Sequence, residues 1–95
     1  MRYTWDLEKD ALNRRKHGLF LAAGVDALED PNFYFWYDER FDYGEERVIM
    51  LGLGSRGVLY VVSTDPEPDC TRIISVRKAE ENEIEKYGLG RPRTR

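Results

Sequence analysis

Two arginines, Arg72 and Arg77, bracket the apolar run Ile73-Ile74-Ser75-Val76. If that run is a strand covered on both faces, it is central to the fold and holds both guanidiniums on rigid backbone. Guanidiniums fixed in this way suit a phosphate, whose oxygens they meet as a planar fork in one geometry. The plainer reading of the same residues is a core strand ending in two solvated arginines. Alternation adds a constraint. Residues five apart in a regular strand point to opposite faces, so both reach one site only through a bulge, the strand end or sheet twist.

Other stretches carry weaker chemical signals. Arg14-Arg15-Lys16-His17 is either the favourable positive end of a helix, worth ~0.3–1 kcal/mol per charge at best, or a contact surface for RNA. Phe33-Tyr34-Phe35-Trp36-Tyr37 could stack bases, although strand aromatics in a small domain more often form core. Gly52, Gly54 and Gly57 look like a phosphate loop only superficially, because no Lys-Ser/Thr follows and no helix starts there. One cysteine, Cys70, and one histidine, His17, are too few for an ordinary zinc site, so no metal and no cofactor is expected.

The elements that must hold these groups come from one small domain. A chain of 95 residues has room for a single core. Its 13% aromatic content is too high for a disordered chain. No apolar stretch approaches a membrane span and no signal-peptide pattern opens the chain, so a cytoplasmic location and no membrane contact are expected. The net charge of −3 argues against a generic nucleic-acid binder. Positive charge is nevertheless uneven: residues 71–95 carry seven Lys or Arg against four Glu, so any anion site is local.

Tyr3 and Trp5 suggest a short first strand, and Asp6 reads as the N-cap of a helix running to about His17, with Leu7, Ala11 and Leu12 as its apolar stripe and Gly18 as its stop. A second short helix is expected over Leu21 to Glu29, ended by Asp30-Pro31. Residues 33–37 read as a strand whose two faces both meet something. Asp38 to Glu46 is an acidic loop. Arg47 to Leu51 and Val58 to Ser63 form a hairpin turning at Gly54-Ser55-Arg56-Gly57. Asp65 to Asp69, with two prolines, reads as a loop that cannot continue a ladder. Lys78 to Tyr87 reads as a closing helix with Ile84 and Tyr87 inward. The predicted fold is α+β, with two N-terminal helices, an antiparallel sheet of three to four strands, an optional short extra N-terminal strand and a C-terminal helix. Residues 1–90 form the domain and 91–95 a flexible basic tail. Helices on one face of the sheet would leave the other as an open concave surface.

Taken in order, Trp5-Asp6, Lys9, Asn13, Lys16-His17-Gly18, Asp30-Pro31, Gly44-Glu45-Glu46-Arg47, Gly52 and Arg72-Ile73-Ile74-Ser75-Val76-Arg77-Lys78-Ala79, with Glu83 and Tyr87, resemble the BrnT family of ribonuclease toxins. The resemblance runs from about Trp5 to Tyr87. It implies a RelE-like fold and the toxin of a type II toxin–antitoxin system that cleaves RNA and inhibits translation. It also implies a BrnA-like ribbon-helix-helix antitoxin as partner, with operator DNA reached only through that antitoxin. Cleavage by 2′-OH attack needs a base, a proton donor and cations on the phosphate, and arginines can supply the last without metal. Carried onto this chain, the resemblance makes Arg77 and Arg72 phosphate-clamp candidates, His17 and Glu45 acid/base candidates, and Lys16 and Arg47 supporting RNA-binding cations. Arg77, on the side of Ser75, is the first choice, and Arg72 is expected to pair with the acidic loop.

Two departures from the family pattern remove positive charge. Thr64-Asp65-Pro66-Glu67 stands where an arginine is usual, and Glu80-Glu81-Asn82-Glu83-Ile84-Glu85 makes the closing helix acidic. They favour an alternative, a BrnT-like protein with weak or lost nuclease activity that binds an antitoxin and co-represses DNA. A third reading is a binding module with no antitoxin.

Overall fold

The computed structural model describes residues 1–40 and 42–90, so the expected basic tail at 91–95 lies outside the described residues. Elements follow as β1 (Arg2–Thr4), α1 (Leu7–His17), a 3-10 turn (Leu21–Ala23), α2 (Gly24–Leu28), β2 (Tyr34–Tyr37), β3 (Val48–Gly54), β4 (Gly57–Glu67), β5 (Cys70–Lys78) and α3 (Glu81–Gly90). The strands form one sheet in the order β1-β5-β4-β3-β2. β2, β3, β4 and β5 are antiparallel neighbours, but β1 runs parallel to β5, pairing Arg2 to Thr4 with Cys70 to Arg72. The expected antiparallel sheet of three to four strands is therefore a mixed sheet of five. The second N-terminal helix shrinks to a 3-10 turn and a five-residue α2.

Two packed layers flank the sheet. Leu19, Leu21 and Ala27 cover Leu59, Val61, Ile73 and Val76 on one face. On the other, Tyr87 of α3 joins Ile49, Leu51, Tyr60 and Val62. The second face is thus partly roofed by α3 rather than left open.

α1 begins as expected, with the Asp6 carboxylate accepting from the Glu8 and Lys9 N–H groups, and stops at Gly18, whose φ of 73° is strained for any residue with a Cβ. Its apolar stripe does not exist: Leu7 is 78% and Leu12 55% exposed. The helix is anchored by polar groups instead. Buried Asn13 donates to the carbonyls of Leu19 (2.8 Å) and Val76 (2.9 Å) and accepts from the Val76 N–H (3.1 Å). Its amide takes the place of a neighbouring strand along the half of β5 that β1 does not reach. Asp10 accepts the Leu21 N–H at 2.7 Å and fixes the following turn.

β5 is not the central strand; it lies second from the edge. Its register slips between the pairs Val62↔Ser75 and Ser63↔Ile73, leaving one extra residue, Ile74, as a β-bulge. β4 runs on through Pro66 to Glu67, where a loop was expected. A second irregularity between Thr64 and Glu67 places the proline at a bulge, where its missing N–H costs no ladder bond. α3 starts at Glu81, three residues later than expected, because Lys78 still pairs with Leu59. Tyr87 is buried, whereas Ile84 is 46% exposed. Among the described residues, no helix is long and apolar enough to cross a membrane.

Candidate functional site

The bulge decides where the two arginines point. Along β4, Tyr60, Val62 and Thr64 share one side, and they pair with Arg77, Ser75 and Arg72. Arg72 and Arg77 therefore lie on the same face, the one that α3 covers in part. They still do not form one clamp. Five residues at about 3.3 Å each separate their Cα atoms by roughly 16 Å, and each guanidinium is held by a different carboxylate.

Arg77 makes a two-pronged pair with Glu83 of α3, both bonds 2.9 Å, donates to the Lys78 carbonyl at 3.0 Å and lies over the Tyr60 ring at 3.7 Å. Glu83 also accepts the Glu80 N–H at 2.8 Å, closing the first turn of α3 as in a capping box. Burial opposes ionisation of Glu83, but the Arg77 bonds and that backbone bond hold its carboxyl below the usual value.

Arg72 donates to both oxygens of Glu45 at 3.0 Å, in keeping with the expected pairing to the acidic loop. Arg47 donates to the same carboxylate at 3.1 Å and stacks on Tyr43 at 4.0 Å. Partial burial disfavours the Glu45 carboxylate, yet the two arginines keep its pKa below the ordinary value. A carboxylate so engaged is a weak base. The network continues through the Tyr43 hydroxyl, which donates to Asp38, and the two bonds from Arg40 to Asp38.

His17 and Lys16 stand apart from that cluster, at the end of α1. They line a cleft of about 490 Å³ with Lys9, Leu12, Asn13, Arg15, Ile74 and Ser75, which brings three freely exposed cations and an imidazole together without a carboxylate. His17 is half-buried, and burial followed by the charges of Lys16 and Arg77 lowers its pKa below the usual 6.5. Both influences favour the neutral imidazole, the form that can take a proton. The charge of Arg77 reaches this site although its side chain is not among the lining residues.

Of the six candidates, His17, Lys16 and Arg77 are brought together around the outer edge of β5, whereas Arg72, Glu45 and Arg47 form a second group. Sequence reasoning missed Lys9, Leu12 and Ser75 as cleft walls, and Tyr60 as the platform for Arg77. Tyr60 faces Arg77 through the β4–β5 register, which no local sequence pattern signals. Among the described residues, no three His, Cys, Asp or Glu side chains converge so as to hold a metal ion.

The chain matches the family described as "Ribonuclease toxin, BrnT, of type II toxin-antitoxin system" over residues 5–83. It belongs to the BrnT family. The crystal structure of the ribonuclease toxin BrnT from Brucella abortus superposes with a TM-score of 0.66, at 21% sequence identity, over 85% of this chain and 99% of that one. That likeness is one of fold. No curated protein matches the chain. The BrnT match spans every element from the N-cap of α1 to the first turn of α3, and so contains all six candidate residues.

Proposed function

We propose that the chain is a metal-independent endoribonuclease that cleaves RNA by attack of a 2′-OH on the adjacent phosphate, inhibits translation in the cytoplasm, and is neutralised by a BrnA-like ribbon-helix-helix antitoxin through which operator DNA is reached. A RelE-type relationship of the fold belongs to the same reading. The observation that carries it is the cleft in which His17 is ringed by Lys9, Arg15 and Lys16 with no carboxylate among its described lining residues. In this reading His17 accepts the 2′-OH proton. The P–O2′ bond forms as the P–O5′ bond breaks, leaving a 2′,3′-cyclic phosphate and a 5′-hydroxyl, with solvent protonating the departing oxygen. Lys16 and Arg77 offset charge on the phosphate oxygens. Arg72 and Arg47, positioned by Glu45, bind RNA further along the same face. Growth arrest on expression without antitoxin, relieved by His17→Ala in a folded protein, is the expected outcome; arrest that persists in His17→Ala contradicts the assignment.

A second reading has one specific support. Arg72 and Arg77 are each neutralised by a carboxylate, Glu45 and Glu83, which suits a protein whose nuclease has weakened and whose task is to bind the antitoxin as a co-repressor. Wild-type protein that binds its antitoxin yet neither arrests growth nor cuts RNA would favour it.

A further inference from the structure

β2 closes the sheet on the side away from the cleft, and among the described residues no strand pairs with its outer edge. The Asp38 N–H donates to the Arg47 carbonyl at 2.8 Å, so in the antiparallel alternation Trp36 and Tyr34 also bond toward β3. The N–H and C=O of Phe35 and Tyr37 consequently point away from the sheet. The same residues carry exposed rings. Phe33, Phe35 and Tyr37 are 44%, 45% and 50% exposed, and their rings form a row in which Phe35 is tilted against Phe33 and edge-on to Tyr37, each pair of centroids 5.8 Å apart. Tyr34 and Trp36, on the other side of the strand, are the ones that pack inward. Edges of this kind are usually protected by lysine, proline or a bulge, and β2 has none of these.

Beyond the strand, Tyr37, Asp38, Glu39, Arg40, Asp42 and Glu46 line a concavity of about 460 Å³. Four carboxylates face one guanidinium there, and Arg40 is already bound to Asp38.

We propose that the β2 edge is where the antitoxin docks. The occupant is an extended segment that pairs with the outward groups of Phe35 and Tyr37. Alternate apolar side chains lie on the ring row, and Lys or Arg follows where the segment passes the acidic concavity. Membership of a toxin–antitoxin family supplies the existence of such a partner; the edge, the rings and the carboxylates supply its place and chemistry. A second copy of this chain fits less well. Residues 26–39 contain no Lys or Arg, so two β2 strands paired edge to edge would bring no counter-charge from the second copy to the acidic concavity.

Two strands, β3 and β4, lie between β2 and β5, which puts the dock roughly 14 Å from the cleft strand at about 4.8 Å per spacing. Losing the dock should therefore spare whatever chemistry the cleft performs. The test uses the full chain and its antitoxin partner. The double variant Phe35→Ser/Tyr37→Ser should weaken binding by about tenfold or more, with RNA cleavage by the free chain unchanged. Glu39→Lys/Asp42→Lys, which leaves the sheet intact, should weaken binding and flatten its salt dependence. Amide exchange in the wild-type complex should show new protection at Phe35 and Tyr37. Wild-type affinity in both variants, or unchanged exchange at those amides, overturns the proposal. So does loss of self-association in place of antitoxin binding. A chain that never cuts RNA would count against the nuclease reading alone, because affinity reads the dock independently.

Discussion

Arg77 and Glu83 are joined by two parallel hydrogen bonds of 2.9 Å, which tie the end of β5 to the first turn of α3. The pair is mostly shielded, with side-chain exposures of 26% and 12%. Glu83→Gln should keep one bond and the cap on Glu80 while removing the charge, costing about 1–3 kcal/mol in a denaturant titration. Because it frees Arg77 for phosphate, it should not abolish RNA cleavage, whereas Arg77→Ala should. Loss of cleavage in Glu83→Gln at full folding would show that the carboxylate, and not the arginine alone, is needed.

Acid should weaken the fold through the same groups. The carboxyls of Glu45 and Glu83 have pKa values lowered in the folded chain, so the unfolded chain binds more protons in acid. Their contribution is complete above the unfolded value of about 4 and is lost as pH falls through the folded one. Urea midpoints measured from neutral to acid pH should fall less steeply in Glu83→Gln than in wild type. Parallel slopes would contradict the ion-pair account.

His17 is the only histidine, so its imidazole gives a single pair of ring resonances in an NMR titration. Its midpoint should lie below 6.5. Removing a neighbouring positive charge stabilises the protonated ring, so Lys16→Ala and Arg77→Ala should each raise the midpoint, Lys16→Ala by more. A midpoint that ignores Arg77→Ala would separate the two residues and weaken their joint assignment to one site.

Scaffold positions should fail in a different way. Asn13→Ala strips three hydrogen bonds and leaves the Val76 backbone groups unpartnered in the interior, at a cost of roughly 2–4 kcal/mol. At Gly52 a Cβ would lie 2.1 Å from the Ala27 carbonyl oxygen, so Gly52→Ala must push α2 off β3. Both variants should lower the melting temperature, and second-site stabilisation should restore activity, which it cannot do for His17→Ala.

The sequence was most readable where local chemistry decides. Asp6 and Gly18 bound α1 as expected, and Gly54 to Gly57 turn the β3–β4 hairpin. It was opaque where a distant partner decides. Leu7, Ala11 and Leu12 have helical spacing, but Asn13 reaching Val76 is what seats the helix, and no local pattern shows that an amide will stand in for a strand. Ile73 and Ile74 are alike in type, so nothing in their side chains reveals which is the bulge that turns Arg72 to the side of Arg77. The motif residues also divide by task. Asp6, Asn13, Gly18, Asp30 and Gly52 hold the scaffold, Asp30 by accepting from Leu53 N–H and the Tyr87 hydroxyl, and leave His17 and Lys16 to the cleft, with the charge of Arg77 beside it. Phe33, Phe35 and Tyr37 were read as core because strand aromatics usually are; the edge position of β2 is a property of sheet order, which composition does not carry.

His17 and its neighbouring cations are proposed to cleave RNA by 2′-OH attack. The most direct measurement is to incubate purified protein with a defined RNA in excess chelator and to analyse both product ends. Fragments with 2′,3′-cyclic phosphate and 5′-hydroxyl ends are expected, produced by wild type and lost in His17→Ala of equal stability. Uncut RNA, 5′-phosphate ends, or cleavage undiminished in His17→Ala would contradict the proposal.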